Sequence, residues 1–411
     1  MKITYLSHRI PFPPNKGEKI RTFHQIKYLV EQGYDVSVIA PYQDESELAY
    51  YDQLKQQFGV TAIGIKLKYK MLRLALGIMT TKPLSVANFY SRRLQKIVDN
   101  KLATNEIDVL ICTASSMAEY VFKSEYFTST QAQTRFYMDF MDLDSDKWRQ
   151  YAAKTAYPLR LIYQREARSM AQYENKTADL FNACFFITDT ETNLFKAQYP
   201  QAKNIFSVEN GIDTTMFKPS ETKNNSKSPI LLFTGVMDYS PNIDAVVWFV
   251  KHVWPNVIEK WPTAEFYIAG MNPTEKVRAL ADNKGIKVTG FVEDILPYYH
   301  KSTIFVAPFR IARGVQNKVL QAFACGIPVV SSPMGAEGIR CTNEQDILIA
   351  KSPEDYFEHI VKLTENPSLM SEISAKALDT IQRLYSWQGV LAPFMQIITQ
   401  ALPSNTKEIT K

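Results

Sequence analysis

The sequence predicts an α/β protein of two doubly wound domains in series, each a parallel sheet covered by helices, facing across a cleft. Three observations predict it. Short apolar runs alternate with stretches of helical period, as in a parallel sheet with helices on its faces. The alternation breaks at a polar Ser/Asn/Lys stretch, Pro219 to Pro229, and then restarts. The chain has 411 residues, enough for about two or three domains.

The elements follow in order. "KITYLS" reads as the first strand and "FPPNKGEK" as a loop. Ile20, Phe23, Ile26, Leu29 and Val30 then fall at helical spacing, Gly33 stops the helix, and "YDVSVIA" is the next strand. Further strands are expected at 108–114, 134–140, 183–188 and 204–209. In the second half, "ILLFTG" (230–235) is a strand and Ala245 to Trp254 an apolar helix. Strands at 264–270, 286–292, 303–309 and 327–332 follow, with a short helix from Ile295 to His300 and another from Gln316 to Cys325. The expected layout is a first domain over 1–218, a linker over 219–228 and a second domain over 229–384. A helix over 385–401 then crosses back to the first domain, and 402–411 is a polar tail. In such sheets ligands sit at the carboxyl ends of the strands, so a cleft between two of them suits two substrates.

Composition is that of an ordinary soluble protein, 45% hydrophobic and 22% charged. No apolar run is long enough to span a bilayer as a helix. "MKITYLSHRIPFPP" lacks the apolar core and cleavage site of a signal peptide. Cys112, Cys184, Cys325 and Cys341 are scattered, with no CxxC. Together these predict a reduced, cytoplasmic protein. The net charge is +5, and the excess lies in residues 1–210, with 27 Lys and Arg against 22 Asp and Glu. "GIKLKYKMLRLALGI", Gly64 to Ile78, sets Lys66, Lys68, Lys70 and Arg73 among Leu, Met and Tyr. It reads either as a solvated basic face or as a peripheral contact with anionic lipid at the inner face of the plasma membrane. A nucleic-acid partner is not expected.

The stretch richest in chemistry is "RIARGVQNKVLQAFACGIPVVSS", Arg310 to Ser332. Helical spacing puts Val319, Leu320 and Phe323 on one side and Asn317, Lys318 and Gln321 on the other. The helix begins just after Gly314, so free N–H groups and the positive dipole end meet Arg310 and Arg313 there. A diphosphate fits that constellation. The competing reading pairs both arginines with surface carboxylates.

Elsewhere, "PPNKGEKIR" lies at the end of the first strand, where Gly17 permits close backbone approach and Lys16, Lys19 and Arg21 can meet a phosphate. His8 follows that strand and suits a cleft, whereas His24 suits packing or exposure. Asp142-x-Asp144-x-Asp146 suggests calcium, but Lys147 and Ala153 stand where the loop would need Gly and Glu. No metal is expected; Ser145 or Asp146 as a helix cap is the simpler reading, with Asp142 left for chemistry.

Here the chain resembles glycosyltransferase family 4, the retaining GT-B enzymes with two Rossmann-like domains. "QAFACGIPVV" resembles the family's "EAxACGxPVV" at Ala322, Ala324, Cys325, Gly326, Pro328 and Val329. "ENGID" with Phe217 and Pro219, "FTGVMDYSPNIDA", "FYIAG", "VTGFVED" and "VAPF" follow in family order, and the resemblance covers nearly the whole chain. "SHRIPFPPNKGEKIR", "MDFMDLDSDKW" and "RGVQNKVLQAFA" look most like the sugar transferases of exosortase (PEP-CTERM) exopolysaccharide systems.

The resemblance implies transfer, with retention, from a nucleotide-diphosphate sugar to a glycan or a lipid-carrier-linked acceptor. The sugar nucleotide is a co-substrate, and neither a cofactor nor a metal is implied. Arg313 and Lys318 would stabilise the departing diphosphate, supported by Asn317 and the backbone of Gly314, Val315 and Gln316. Gln321 would meet the ribose. Gly290, Phe291 and Val292 would hold the base, with Gly17, Asp238 and Arg310 also on the donor side. His8, Lys16, Arg21 and Asp139 would face the acceptor, and Asp142 a sugar hydroxyl.

Three departures stand out. Arg313 and Gln321 replace two glutamates, and glutamine accepts through its carbonyl but donates through its amide. "VMDYSPN" lacks the usual Arg/Lys pair for the diphosphate, a charge that Arg310 and Arg313 would restore. Asp139 and Asp142 stand where many members have a histidine. Two alternatives therefore stay open: a catalytically degenerate sugar-nucleotide-binding protein, and a GT-B sugar-nucleotide epimerase.

Overall fold

A computed structural model describes residues 1–68, 70–78, 82–130, 133–221, 226–311 and 315–399. The chain divides into two compact units, one of residues 1–210 with 390–411, the other of residues 211–389. The division precedes the polar stretch that the sequence suggests as a linker. His300 binds the Lys218 carbonyl at 2.9 Å, so the residues just before Pro219 pack within the second unit.

The first unit is a seven-stranded sheet in the order β3-β2-β1-β4-β5-β6-β7. The strands are β1 (Lys2–Ser7), β2 (Asp35–Tyr42), β3 (Thr61–Lys66), β4 (Val109–Thr113), β5 (Arg135–Met141), β6 (Ala183–Phe186) and β7 (Ile205–Ser207). Every pair is parallel; Ile3 lies opposite Val36 on one side and Val109 on the other. β4 and β6 are buried along their whole length, which is why they read as unbroken apolar runs rather than alternations. Strand order reverses between β1 and β4, which makes their carboxyl ends the switch point. There the Ser7 and Thr113 hydroxyls bond at 2.8 Å.

Four helices of this unit matter below: α1 (Gly17–Glu31), α2 (Lys70–Ile78), α3 (Asp144–Lys154) and α4 (Leu159–Leu180). The expected caps of α3 are not used. Its N-cap is Leu143, and Ser145 and Asp146 lie inside its first turn. Its leading N–H groups go to distant carboxyls instead: Leu143 N–H to Glu191 Oε1 at 3.0 Å and Ser145 N–H to Glu174 Oε1 at 3.1 Å.

The second unit is a six-stranded parallel sheet in the order β10-β9-β8-β11-β12-β13. Its strands are β8 (Ile230–Thr234), β9 (Glu265–Ala269), β10 (Ile286–Gly290), β11 (Ile304–Ala307), β12 (Val329–Ser331) and β13 (Leu348–Ile349). Its switch point lies between β8 and β11, where Ile304 pairs with Leu231. α5 (Ser240–His252) follows β8, starting five residues earlier than its apolar run because Pro241 suits a first turn. α6 (Asn317–Ala324) follows β11 and buries Val319, Leu320 and Phe323, the face that helical spacing predicts. Leu231, Phe233, Phe249, Phe305 and Phe323 share the core of this unit.

The last helix, α7 (Trp387–Thr399), belongs to the first unit from Val390 onward. Phe394 meets Phe185 edge-on at 5.0 Å, and the Tyr137 hydroxyl donates to the Ile397 carbonyl at 3.3 Å. Among the described residues, no helix is long and apolar enough to cross a membrane.

Candidate functional site

The switch point of the second unit is built from backbone upward. Gly235 follows β8 and Gly270 follows β9, and their chains pack so closely that a Cβ on Gly270 would stand 1.7 Å from the Gly235 carbonyl oxygen. Gly235 N–H donates to the Ala269 carbonyl at 3.0 Å, and Met237 N–H to the Met271 carbonyl at 2.8 Å. No side chain fits between these loops, so backbone and the groups of α5 and α6 line this end of the sheet.

Lys318, in the first turn of α6, occupies the space that Gly235 leaves. Its ammonium donates to Asn242 Oδ1 at 2.7 Å and lies over the rings of Phe233 and Phe309 at 5.0 and 4.8 Å. Asn242 is itself fixed, donating to the Val236 carbonyl at 2.8 Å. No carboxylate pairs with Lys318 among the described residues. Burial alone pushes its pKa down from 10.5 to about 8. Gln316, the N-cap, contributes no side-chain cap. A desolvated cation at an uncapped helix start is an anion-binding arrangement. Sequence reasoning identified Lys318; it missed Asn242, whose one signal is its place in "SPN" after the strand.

Gln321 lies one turn on. The fully buried Tyr299 hydroxyl donates to Gln321 Oε1 at 3.0 Å and also bonds Thr234 Oγ1 at 2.9 Å. With its carbonyl held inward, Gln321 presents its amide as a donor. Asp238 is exposed and accepts from Asn272 at 3.1 Å, beyond the ends of β8 and β9. Gly290 ends β10 in the left-handed region, φ 69°, with open space where a Cβ would be. Phe291 beside it is 69% exposed, and Val292 is partly buried. Val315 and Gln316 are partly buried and Asn317 is exposed.

Arg310 does not join this group. It forms a two-pronged pair with Asp244 of α5, Nε to Oδ2 at 3.0 Å and Nη2 to Oδ1. The surface-carboxylate reading therefore holds for Arg310, and its charge is already matched. Arg313 and Gly314 lie outside the described residues.

In the first unit the four acceptor-side residues separate. Arg21 and Asp139 are fully buried and bond each other, Nε to Oδ2 at 2.7 Å. Arg21 also donates to the Val208 and Glu209 carbonyls at 2.6 and 3.3 Å and to Asn210 Oδ1 at 3.2 Å; Gln25 adds a bond to Asp139 at 2.7 Å. This corrects the expectation that either meets an acceptor. Their helical and strand positions aim them inward, where each neutralises the other. Lys16, the N-cap of α1, and Gly17 are exposed, with nothing within 4 Å of a Gly17 Cβ.

His8 stays at the end of β1, edge-on to Phe89 with centroids 5.5 Å apart. Enclosure of its imidazole, reinforced by Arg9, pushes the pKa down to about 4, so it is neutral at physiological pH. Its Nδ1 is buried without a hydrogen bond. Near these strand ends two non-glycine residues adopt positive φ, Ala114 at 70° after β4 and Met141 at 68° closing β5. Backbone strain of this kind gathers at functional positions. Beyond them, Ser115 Oγ donates to Asp144 Oδ2 at 3.2 Å, and Lys147 lies 3.6 Å from Asp144 and 3.8 Å from Asp142. Asp142 is exposed, so it is a lysine-paired surface carboxylate at the sheet's carboxyl edge. The structure thus adds Ala114 and Ser115, which no sequence spacing announced, and gives Asp144, noticed in the sequence only as part of a rejected calcium pattern, a hydroxyl partner. Among the described residues no cluster of three or more His, Cys, Asp or Glu can hold a metal ion.

Residues 228–366 match the model of a family described as glycosyl transferases group 1. The chain is similar to an uncharacterized 44.6 kDa protein in the cps region of Klebsiella pneumoniae, 23% identical over 408 residues, 95% of this chain and 98% of that one. Among solved structures it resembles a glycosyltransferase from Rickettsia africae ESF-5, with a TM-score of 0.60 at 14% identity, covering 97% of this chain and 98% of that one. It also resembles Anabaena Alr3699/HepE in complex with UDP and glucose, with a TM-score of 0.56 at 12% identity over 96% and 98% of the two chains. The chain thus has the GT-B fold, and its residues 228–366 are similar to glycosyl transferases group 1.

Proposed function

We propose that the protein transfers a sugar from a nucleotide-diphosphate donor to a glycan or lipid-carrier-linked acceptor, with retention, in exopolysaccharide synthesis. One observation carries the reading: the Lys318 ammonium is desolvated, fixed by Asn242 and unmatched by any described carboxylate at the switch point of the second unit. A diphosphate supplies the missing counter-charge, and its charge grows as the glycosidic bond breaks. The Gln321 amide then donates to a ribose oxygen, and the exposed Phe291 ring and the backbone from Gly290 to Val292 offer a surface for the base. The reaction as proposed needs no metal. It takes place in the cytoplasm, at the inner face of the membrane.

The similarity to a protein of a cps region supports the polysaccharide setting, and the UDP and glucose held by Alr3699/HepE support the donor class. Thermal stabilisation by UDP-, GDP- and ADP-sugars, followed by assays of hydrolysis and transfer, tests the proposal. Stabilisation by one nucleotide class with turnover is the expected result. Absence of stabilisation at millimolar donor overturns it, and binding without turnover favours the degenerate sugar-nucleotide binder.

A further inference from the structure

The basic stretch 64–78 is less free than its sequence suggests. Lys66 pairs with Glu45 at 2.6 Å, and Arg73 turns inward to the Asn88 carbonyl at 2.9 Å. A second surface of the same unit, the helical hairpin of α3 and α4, has the opposite character. Tyr157 is 78% exposed, Leu159 50% and Leu161 54%, and Tyr151 and Ile162 are exposed beside them. Five large exposed apolar side chains gathered at one hairpin tip form a candidate contact surface.

Behind the tip runs a groove of about 470 Å³ between α3 and α4. Ala152, Ala153, Ala167 and Ala171 line it together with Arg149, Arg160, Gln164 and Arg168. Arg160, Gln164, Arg168 and Ala171 recur at three- and four-residue steps, so one stripe of α4 faces the groove. Arg149 bonds Asp146 and Gln198, whereas Arg160 and Arg168 have no carboxylate partner among the described residues. Among the described residues no acidic side chain lines the groove. Trp148, Tyr151 and Tyr163 pack together alongside, with centroids 5.3 to 6.2 Å apart.

We propose that this hairpin docks the protein on an anionic phospholipid bilayer. Tyr157, Leu159, Leu161 and Ile162 enter the interface between headgroup and acyl chain, Trp148, Tyr151 and Tyr163 sit at headgroup level, and Arg160 and Arg168 bind headgroup phosphates. Charge complementarity selects this occupant. A free anion would match the groove alone, whereas an anionic bilayer matches an apolar tip with cations set just behind it. Arg165 of α4 donates to the Gly77 and Lys82 carbonyls at 3.1 Å, which ties α4 to the last turn of α2 and to the chain beyond it. The exposed Met71 of α2 is another apolar side chain of this unit.

Flotation of the full chain, without nucleotide, on vesicles of equimolar phosphatidylglycerol and phosphatidylcholine or of phosphatidylcholine alone tests the proposal independently of the donor site. The chain is expected to float with the anionic vesicles and to be released by salt. Arg160→Gln with Arg168→Gln should weaken partition about thirtyfold. Leu159→Ser with Leu161→Ser should weaken it at every salt concentration, with the melting temperature unchanged. No flotation on anionic vesicles, or equal flotation on both kinds, overturns the proposal. So does retention of binding by both double variants, or a dimer in light scattering that the leucine variant dissolves. Calorimetric binding of inorganic phosphate with no vesicle binding marks a free-anion site instead. If a variant melts early, the salt dependence of the wild-type chain decides: binding that salt does not weaken overturns the proposal.

Discussion

The Lys318 ammonium stands 2.7 Å from the side-chain carbonyl of Asn242, over two phenyl rings, with no carboxylate among the described residues to balance it. Such an arrangement costs stability in the free protein and gains it when an anion arrives. Lys318→Met, similar in volume, should therefore melt no lower than the wild type, yet bind the donor about ten- to a hundredfold more weakly. Thermal melts with and without nucleotide sugar check both halves; equal loss of stability and affinity would assign Lys318 a purely structural role.

The same lysine sets a pH signature. Its pKa of about 8 lies below the ordinary 10.5, so between those values the unfolded chain holds a proton that the folded chain has released. Its contribution to stability must then rise with pH through that window. Donor affinity must do the reverse, falling above about pH 8 as the ammonium is lost, with proton uptake on binding. Calorimetry in buffers of different ionisation enthalpy measures that uptake, and Lys318→Met should abolish it.

Gly235 offers a separate route to the site. A Cβ there would stand 2.7 Å from Asn242 Nδ2 and 3.0 Å from Lys318 Nζ. Gly235→Ala should displace the ammonium and weaken donor binding, and should also cost stability, because a φ of 159° strains a side chain there even where the Asn242 and Lys318 ends can yield. Gly270→Ala meets backbone at 1.7 Å and should lower the melting temperature severely. Comparing the two variants separates the shape of the site from the integrity of the sheet.

The sheet and this helix were legible because their signals are local. A parallel strand buried on both faces is an apolar run, and a three- to four-residue rhythm places Lys318 and Gln321 opposite Leu320 and Phe323. The partners of charged groups were not legible. Arg21 and Asp139 lie 118 residues apart and Arg310 and Asp244 lie 66 apart, so no spacing rule reaches from one to the other. The positions of Arg21, in the first turns of α1, and of Arg310, in a loop after β11, suggested ligands, and the tertiary structure supplies carboxylates instead. The strained Ala114 and the inward carbonyl of Gln321 are likewise set by packing across elements.

The buried Arg21–Asp139 pair makes its own prediction. Both side chains are fully enclosed, and Arg21 also holds the Val208 and Glu209 carbonyls. Removing one partner strands the other charge, a loss of about 3–5 kcal/mol for a buried pair. Arg21→Met and Asp139→Leu should each destabilise the chain strongly in denaturant titration. The double variant should be less damaged than the two losses added together. Additive losses would show that the pair is not the unit that matters.

Glu174 supplies the last test, on the hairpin that carries the proposed membrane surface. It is 1% exposed and accepts the Ser145 N–H at the start of α3, and burial pushes its pKa from 4.5 up to about 8. Folded, it holds its proton at neutral pH; unfolded, it has released it. A raised carboxyl contributes stability that is fully present below about pH 4.5 and is lost as pH climbs through about 8. Glu174→Gln keeps the carbonyl acceptor for Ser145 and carries no charge to bury. The variant should therefore gain on the wild type in melting temperature as pH rises from 5 to 8, with little difference at pH 4. A constant offset across that range would mean that Glu174 does not titrate there, and that the start of α3 tolerates a buried carboxylate.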